Sequence, residues 1–282
     1  MTLLSPTNGA MAKRAWLLTC LLLAACAGLQ KQADPVRDHP QVLLLGEVHD
    51  NPQGHRERFE YLRQRIEAGW RPAIVMEQFN HEDQALLTKA QKGCADPECI
   101  IRVMAVPGWD WALYRPIIDL ALTYDLPLIA ANLSRADASR VVRDGIKSTF
   151  DAQTVDAYRL TGPLPADIRR AQQTEIVASH CHMLPEMMIS GMVDAQIARD
   201  IWMAKIARAQ MPRDVVLLAG NGHVRKDIGV ARWINATAPA LTVRSEAYVE
   251  QGMAAGPGVY DVTHTIAPHS RPDPCGSSKS TS

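Results

Sequence analysis

The sequence lacks the motifs and the charge excess that mark nucleotide-binding and nucleic-acid-binding proteins. It contains no Gly-x-Gly-x-x-Gly loop and no phosphate-binding Gly-Lys-Ser/Thr element, so the usual markers of nucleotide chemistry are missing. The chain has 30 basic and 30 acidic residues. Removal of Lys13 and Arg14 with a presequence leaves 28 basic residues and a net charge near −2. We therefore expect no nucleic-acid partner.

The N terminus also lacks an apolar run long enough to cross a bilayer. Lys13 and Arg14 precede the apolar run 15–23, which is shorter than a membrane-spanning helix. This run leads into Leu-Ala-Ala-Cys at residues 23–26, a match to the box that lipoprotein signal peptidase recognises. A basic flank, a short apolar run and a cleavage box together predict a lipoprotein signal peptide.

Cleavage before Cys26 would make this cysteine the lipidated N terminus of the mature protein. We predict residues 1–25 as the signal peptide and residues 26–38 as a tether. Several acyl chains on one residue anchor a protein stably without crossing the membrane. Ala27 stands where an aspartate would favour the inner membrane in similar bacterial lipoproteins, so we expect the outer membrane.

Four cysteines lie beyond the predicted anchor. Cys94 and Cys99 flank a turn-prone string, and an oxidising periplasm permits a disulfide between them. A zinc site is the weaker interpretation because no matching second pair follows. We expect Cys181 and Cys275 to be unpaired, although nothing in the sequence forbids a bond between them.

Six short strand-like runs predict the strands of an α/β domain. Most of them are separated by helical patterns, which favours a parallel or mixed central sheet flanked by helices. We assign the core to residues 39–133 and 212–267. The six runs are 42–45, 73–76, 126–130, 215–219, 241–244 and 262–266.

Residues 134–211 contain helical patterns and no convincing strand, which predicts an α-helical insertion over the carboxyl edge of the sheet. Its last helix, 191–210, is apolar on almost every side, so it must be buried against the core or a partner subunit. The segment 268–282 is rich in proline and serine and is predicted to be a disordered tail.

The first helix has a clear start. Asn51 is a natural N-cap and Pro52 occupies the first helical position. His55 then falls on the apolar stripe of this helix, and we expect it to point inward near His49.

Two strings with the spacing Gly-x-x-His, Gly46 to His49 and Gly220 to His223, each follow a strand-like run. Ligands bind at the carboxyl ends of strands in open α/β sheets, so these histidines are predicted to be neighbours there. Carboxylates at other strand ends would join them, and such a set could hold a divalent metal or act as acid and base. We predict catalytic roles for Glu47, His49, Glu77 and His223, metal ligation by His49, Glu77 and His223, and a position for Glu246 at the same edge.

A second cluster lies in the predicted insertion. His180 and His182 face apart on a helix but can converge in a loop, which Pro185 favours. Haem iron accepts His, Met, Cys or Tyr ligands, and Met183 follows directly. A polar loop with solvent-exposed histidines is the alternative interpretation.

At these motifs the chain resembles the ChaN family of haem-binding lipoproteins linked to bacterial iron acquisition. The resemblance extends from Val42 to about Ile266. It implies an α/β domain with a helical insertion, and two subunits that enclose a pair of haems ligated by tyrosine. Tyr158 is the tyrosine of the insertion and the candidate ligand. The motifs are 44–52, 74–79, 109–114, 182–185, 195–200 and 219–225.

The chain is also similar to a broader superfamily that includes the TIKI and TraB proteins and erythromycin esterases. Some members are metal-dependent hydrolases, and that resemblance implies a site at His49, Glu77 and His223, with Glu47 beside them.

Two hypotheses follow from the sequence. In the first, the protein is a homodimeric lipoprotein of haem acquisition that holds haem between the insertion and a second subunit. The haem would lie near Tyr158, His180, His182 and Met183. An outer-membrane haem receptor is the expected partner. In the second, it is a metal-dependent hydrolase of peptide or ester bonds that uses the strand-end histidines and glutamates.

Overall fold

The computed structural model describes residues 39–253, 256–273 and 275–276. The predicted signal peptide, tether and lipidated Cys26 lie outside this part of the chain. The strands form one six-stranded sheet in the order β3-β2-β4-β1-β5-β6, and every neighbouring pair is parallel. This arrangement confirms the predicted α/β fold. The strands are β1 (Val42–Glu47), β2 (Ala73–Asn80), β3 (Leu128–Asn132), β4 (Val215–Gly220), β5 (Val243–Glu250) and β6 (Val262–Ile266).

Helices cover both faces of the sheet. Two 3₁₀ turns, His81–Asp83 and Ile146–Thr149, accompany them. Among the helices described, none combines the length and hydropathy needed to cross a bilayer. The helices are α1 (Pro52–Glu67), α2 (Gln84–Gly93), α3 (Pro97–Met104), α4 (Trp111–Thr123), α5 (Arg135–Asp144), α6 (Ala152–Ala157), α7 (Ala166–Ser179), α8 (Glu186–Ala209), α9 (Asn221–Val224) and α10 (Val230–Ile234).

The core consists of two apolar layers, one on each face of the sheet. Alternate residues of a strand point to opposite faces, so Leu43 and Leu45 of β1 face α1 to α4. Val42 and Leu44 face the other layer, which α5 to α8 and α10 cover. Burial on both faces explains why the central strands are uninterrupted apolar runs.

The first helix begins as the sequence predicts. The side chain of Asn51 accepts a hydrogen bond from the backbone N–H of Gly54 at 3.0 Å, with Pro52 at the first helical position. His55 is buried and its Nε2 donates to the carbonyl of His49 at 3.0 Å. Both expectations for this helix are confirmed.

The predicted bounds of β5 were wrong. The strand runs over Val243–Glu250 rather than 241–244. Ser245 and Glu246 interrupt the apolar pattern, yet both are buried inside the strand because hydrogen-bond partners satisfy their polar atoms.

The chain between β3 and β4 is helical throughout its regular elements, and no strand lies among these described residues. Its long helix α8 packs on one face of the sheet, where Ile197, Ile201 and Ala204 are fully buried. The middle of α8 also reaches the carboxyl edge, since Asp200 contacts His223.

The disulfide predicted between Cys94 and Cys99 is present. The expectation that Cys181 and Cys275 are unpaired was wrong, because they form a second disulfide with a Cα–Cα distance of 5.5 Å. Their pairing joins segments 94 residues apart, which no local pattern can reveal.

The residues just after β6, at the start of the predicted disordered tail, make polar contacts with the end of β5. Arg271 donates to Glu250 at 2.6 Å and to Asp50 at 2.8 Å, and the backbone N–H of His269 also donates to Glu250 at 2.9 Å. The proline- and serine-rich composition of this segment gives no indication of these polar contacts, which join the segment to the end of β5.

Candidate functional site

The two Gly-x-x-His strings lie side by side at the carboxyl edge of the sheet. In the pairing of β1 with β4, Glu47 lies opposite Gly220. The imidazole of His49 packs over Gly220, where an added Cβ would lie 2.9 Å from its Nε2. Gly220 therefore allows His49 to approach the strand that leads to His223.

Glu47 is the centre of the first polar group. Its carboxylate accepts hydrogen bonds from Tyr114 at 2.5 Å and Gln78 at 3.2 Å, and it pairs with the buried Arg58. Burial opposes the charge, but Arg58 and His49 outweigh it and hold the pKa of Glu47 far below its usual value. Glu47 is thus a fixed buried anion.

His49 is oriented by this anion. Its Nδ1 donates to Glu47 at 2.7 Å, and its ring packs edge-on against Trp109 with centroids 4.9 Å apart. Burial disfavours the charged imidazole, but Glu47 and Glu77 outweigh burial and raise the pKa of His49. The side chain is about half exposed, so His49 lies at the rim of the site.

A second polar group surrounds the buried His223. Its Nδ1 donates to Asp200 at 2.6 Å, and its Nε2 lies 3.4 Å from Glu77. Glu77 also accepts the backbone N–H of Gly220 at 2.8 Å. The side-chain amide of Gln196 lies 3.2 Å from Nε2.

The charges of His223 and Glu77 stabilise each other. Burial disfavours the charged imidazole, but Glu77 and Asp200 outweigh it and raise the pKa of His223 to about 10. Burial also opposes the charge on Glu77, whereas His223 overcomes that cost and lowers the pKa of Glu77 to about 2. Burial raises the pKa of Asp200 to about 6.

Metal ligation by His49, Glu77 and His223 stays a prediction. Both nitrogens of His223 face carboxylates, Nδ1 that of Asp200 and Nε2 that of Glu77. Among the described residues, the group with ligand atoms within 4.8 Å of one another is His81, Glu82 and Asp137.

Glu246 does not join the strand-end site. It lies within β5, opposite Leu45 of β1, instead of at the end of the strand. Its carboxylate accepts hydrogen bonds from Tyr61 at 2.7 Å, Arg244 at 2.6 Å and His264 at 2.8 Å. These contacts form a separate network on the α1 side of the sheet.

The four predicted haem-contacting residues are not brought together. Tyr158 is buried in the core, beside the ring of Trp233. His180, His182 and Met183 lie in the loop between α7 and α8 and are exposed. Tyr158 is therefore enclosed in the core, whereas the other three residues face solvent.

A cavity of about 500 Å³ opens between α5, α7 and α8, next to the strand-end site. Each helix contributes residues at i, i+3, i+4 and i+7, which is one stripe of an α-helix. His180 lines this cavity, whereas Tyr158, His182 and Met183 do not. The lining stripes are 135, 138, 139 and 142 of α5, 172, 175, 176 and 179 of α7, and 192, 195, 196 and 199 of α8.

A larger cavity of about 820 Å³ lies on the other face, between α1 and α4. Phe59 and Leu113 contribute apolar surface, and Tyr61, Tyr248 and His264 add polar atoms. Tyr248 and His264 stack with ring centroids 4.5 Å apart.

Several side chains of the site were not identified from the sequence. Asp200 carried a signal, since it is an acidic residue on a helix that is otherwise largely apolar on its buried side. Arg58 likewise follows His55 by one helical turn on the buried side of α1. Tyr114 and Gln196 had no local signal, because their roles depend on contacts with Glu47 and His223 from distant elements.

Comparisons with known proteins agree with this architecture. ChaN of Campylobacter jejuni, solved with cofacially bound haem, has 20% identity to the chain and a TM-score of 0.62, with 76% of this chain and 84% of that chain covered. A mutant of erythromycin esterase EreC in its open conformation has 15% identity and a TM-score of 0.46, with 78% and 74% covered.

No curated protein sequence matches the chain. A family model described as haem-binding uptake, Tiki superfamily, ChaN matches residues 37–234. Because this match spans more than two thirds of the 282 residues, the chain belongs to the ChaN family of the Tiki superfamily.

Proposed function

We propose that this protein binds haem in the cavity between α5, α7 and α8, with His180 as the iron ligand. The observation that carries the proposal is the hydrogen bond from His180 Nδ1 to the carbonyl of Ile176, at 2.8 Å. This bond fixes the tautomer and leaves the lone pair on Nε2. Metal-ligating histidines in proteins are usually held in this way.

The cavity also suits haem in size and lining. Its volume of about 500 Å³ lies within the ~300–1,000 Å³ range of small-molecule pockets. Val142, Ile176 and Met192 offer apolar or polarizable surface for a porphyrin. Every lining residue falls within 37–234, the segment that the haem-binding family model matches. When bound, haem would supply a ferric iron that takes an axial protein ligand.

A haemin titration followed by the Soret band tests the ligand. We expect saturable binding by the wild type and a loss of affinity of about tenfold or more in His180→Ala, since even the loss of a residue that only orients a metal ligand costs ~10–100-fold. His182→Ala is the matched control, because this histidine lies two residues away outside the cavity. Equal loss in both variants, or none in His180→Ala, would reject His180 as the ligand.

We also propose that a second subunit covers the outer end of this cavity. Met183, Met187 and Met188 are exposed at the loop and first turn of α8, beside His180. Exposed apolar clusters of this kind are typical of interaction surfaces, and the C. jejuni structure is described as binding haem cofacially. A homodimer that faces two such cavities toward each other accounts for both observations.

Cys26 remains our proposed lipid anchor, with the protein at the outer membrane and a haem receptor there as its partner. The support is the Leu-Ala-Ala-Cys box and Ala27. Incorporation of labelled palmitate should be lost in Cys26→Ser, and labelling of that variant would contradict the assignment.

Hydrolysis of an ester or peptide bond at His49 is a second candidate function. Glu47 binds Nδ1 of His49, and Nε2 lies over Gly220 near Glu77 on a half-exposed side chain, which is the arrangement of a positioned general base. In an esterase and peptidase screen, His49→Ala should abolish any activity and leave haemin binding intact. Activity that survives this substitution would exclude His49 as the base.

A further inference from the structure

Two arginines line the same cavity with hydrogen-bond donors that no described side chain accepts. Arg199 of α8 and Arg135 of α5 are lining residues, and neither makes a side-chain hydrogen bond or ion pair within the described ranges, although Glu77 and Asp200 stabilise the charge of Arg199 at longer range. Arg199 is only partly exposed. A guanidinium in a cleft with no protein acceptor is suited to bind an anionic ligand, most strongly a carboxylate or phosphate in bidentate geometry.

The packing of α5 on α8 places both arginines at one end of the cavity. An added Cβ on Gly191 of α8 would lie 2.9 Å from the carbonyl of Val142, which is near the end of α5. Farther along, Asp137 of α5 and Trp202 of α8 both contact His81, so the two helices run antiparallel. Arg135 begins α5 directly after β3, and Arg199 precedes the Asp200 that bonds His223.

The iron-ligand candidate lies toward the other end. Met192 is seven residues before Arg199 on α8, or about 10 Å at ~1.5 Å per residue. Gln172 of α7 bonds Asp200 at the inner end, and His180 follows eight residues later, about 12 Å along the chain if it continued the helix. The separation between haem iron and its propionate carboxylates is of the same order.

Other charged groups around the cavity already have partners. Glu175 is paired with Arg225, and Asp200 and Glu77 are each bonded by His223. The two arginines are therefore the lining cations whose guanidinium donors have no hydrogen-bond acceptor among the described residues. These donors are available to an anionic group of a ligand at this end of the cavity.

We propose that Arg199 and Arg135 bind the propionate carboxylates of haem, so that the porphyrin enters with its propionates toward the carboxyl edge of the sheet. This inference rests on the haem-binding function proposed above. It makes a distinct prediction, because it concerns the carboxylates of the ligand and not its iron.

The test compares haemin with haemin dimethyl ester, in which both carboxylates are neutral esters. The purified full chain is titrated with each, as wild type and as Arg199→Gln, Arg135→Gln and the double variant. We expect the double variant to bind haemin at least about tenfold more weakly, the size of loss expected when a charge-assisted hydrogen bond is removed. Its affinity for the dimethyl ester should equal that of the wild type.

Arg143→Gln is the matched control, since this arginine is on α5, is exposed and does not line the cavity. Arg199→Lys should recover part of the haemin affinity. Equal haemin binding in wild type and double variant would overturn the inference and leave haem binding in place. Equal weakening of haemin and its ester would also overturn it, because the arginines would then act on the fold. Failure of the wild type to bind haemin would reject the proposed function together with this inference.

Discussion

At the scale of single residues, Gly46 is surrounded so closely that there is no room for a side chain. A Cβ at this position would lie 2.7 Å from Val224 and 3.3 Å from the Cα of Ala247, and would collide with Asn221. Only a residue without a side chain fits where β1, α9 and β5 meet. The glycine that opens each Gly-x-x-His string is thus required by packing at the site.

We predict that Gly46→Ala lowers the free energy of unfolding by about 1–3 kcal/mol, the usual cost of overpacking a core. Gly222→Ala is the control, because no atom lies within 4 Å of a Cβ added there. Urea unfolding of the two variants measures the difference. Equal stability of Gly46→Ala and the wild type would show that the space around Gly46 can adjust.

Glu250 makes the free energy of unfolding depend on pH. Arg271 is the main cause that lowers the pKa of Glu250 from 4.5 to about 2, aided by Asn51 and opposed by burial. A carboxyl whose pKa is depressed on folding stabilises the protein above its unfolded pKa and loses this contribution as the pH falls through the folded value. The stabilisation is therefore present at pH 7 and declines between about 4.5 and 2.

Glu250→Gln should lower the free energy of unfolding at pH 7 by about 1–3 kcal/mol, with allowance for solvent around Arg271. The difference from the wild type should shrink at pH 3. Glu67→Gln, which removes an exposed pair with Arg63, should have a smaller effect, because solvent screens exposed pairs. Equal effects of the two substitutions across this pH range would contradict the role of Glu250.

At the scale of elements, the two disulfides close loops of very different length. Cys181–Cys275 joins the α7–α8 loop to the segment after β6 across 94 residues, whereas Cys94–Cys99 spans five. In the chain-entropy account, the stabilisation by a disulfide grows with the logarithm of the loop it closes. The longer loop should therefore contribute more to stability.

We expect Cys275→Ser to destabilise the protein by about 4–5 kcal/mol and Cys99→Ser by about 2 kcal/mol. Denaturant unfolding of each variant, with the other disulfide intact, provides the comparison. A larger loss in Cys99→Ser would show that local packing, and not loop closure, sets these contributions.

Local signals explain which elements the sequence could predict. Asn51 and Pro52 mark the start of α1 by chemistry within one helical turn, and the β-branched residues of the strand-like run 262–266 predict β6 with its observed bounds. The bounds of β5 depend on partners for Ser245 and Glu246 that come from other elements. A sequence pattern carries no information about such partners.

At the scale of the whole molecule, the parallel sheet brings His49 and His223 to one edge from positions 174 residues apart. Their meeting could be predicted because both follow strands of the same sheet. Asp200 and Arg199 could not be placed in this way, since they reach the site through the packing of α8 across the sheet. The cavity could not be predicted from the sequence either, because it depends on the relative positions of three helices.

The exposed methionines of α8 predict how subunits associate. Met187 is among the most exposed large apolar residues described. Met187→Glu should prevent a dimer in sedimentation velocity with saturating haemin, because a buried unpaired charge is costly at an interface. Met253→Glu is the control, since this methionine is exposed elsewhere on the surface. A dimer that persists in Met187→Glu would place the interface on another face.

The most direct test of the account is a crystal structure of the protein with haemin. We predict haem in the cavity between α5, α7 and α8, with iron bonded to Nε2 of His180 and propionates on Arg199 and Arg135. Haem located in the cavity between α1 and α4, or iron bonded to a tyrosine, would contradict the account.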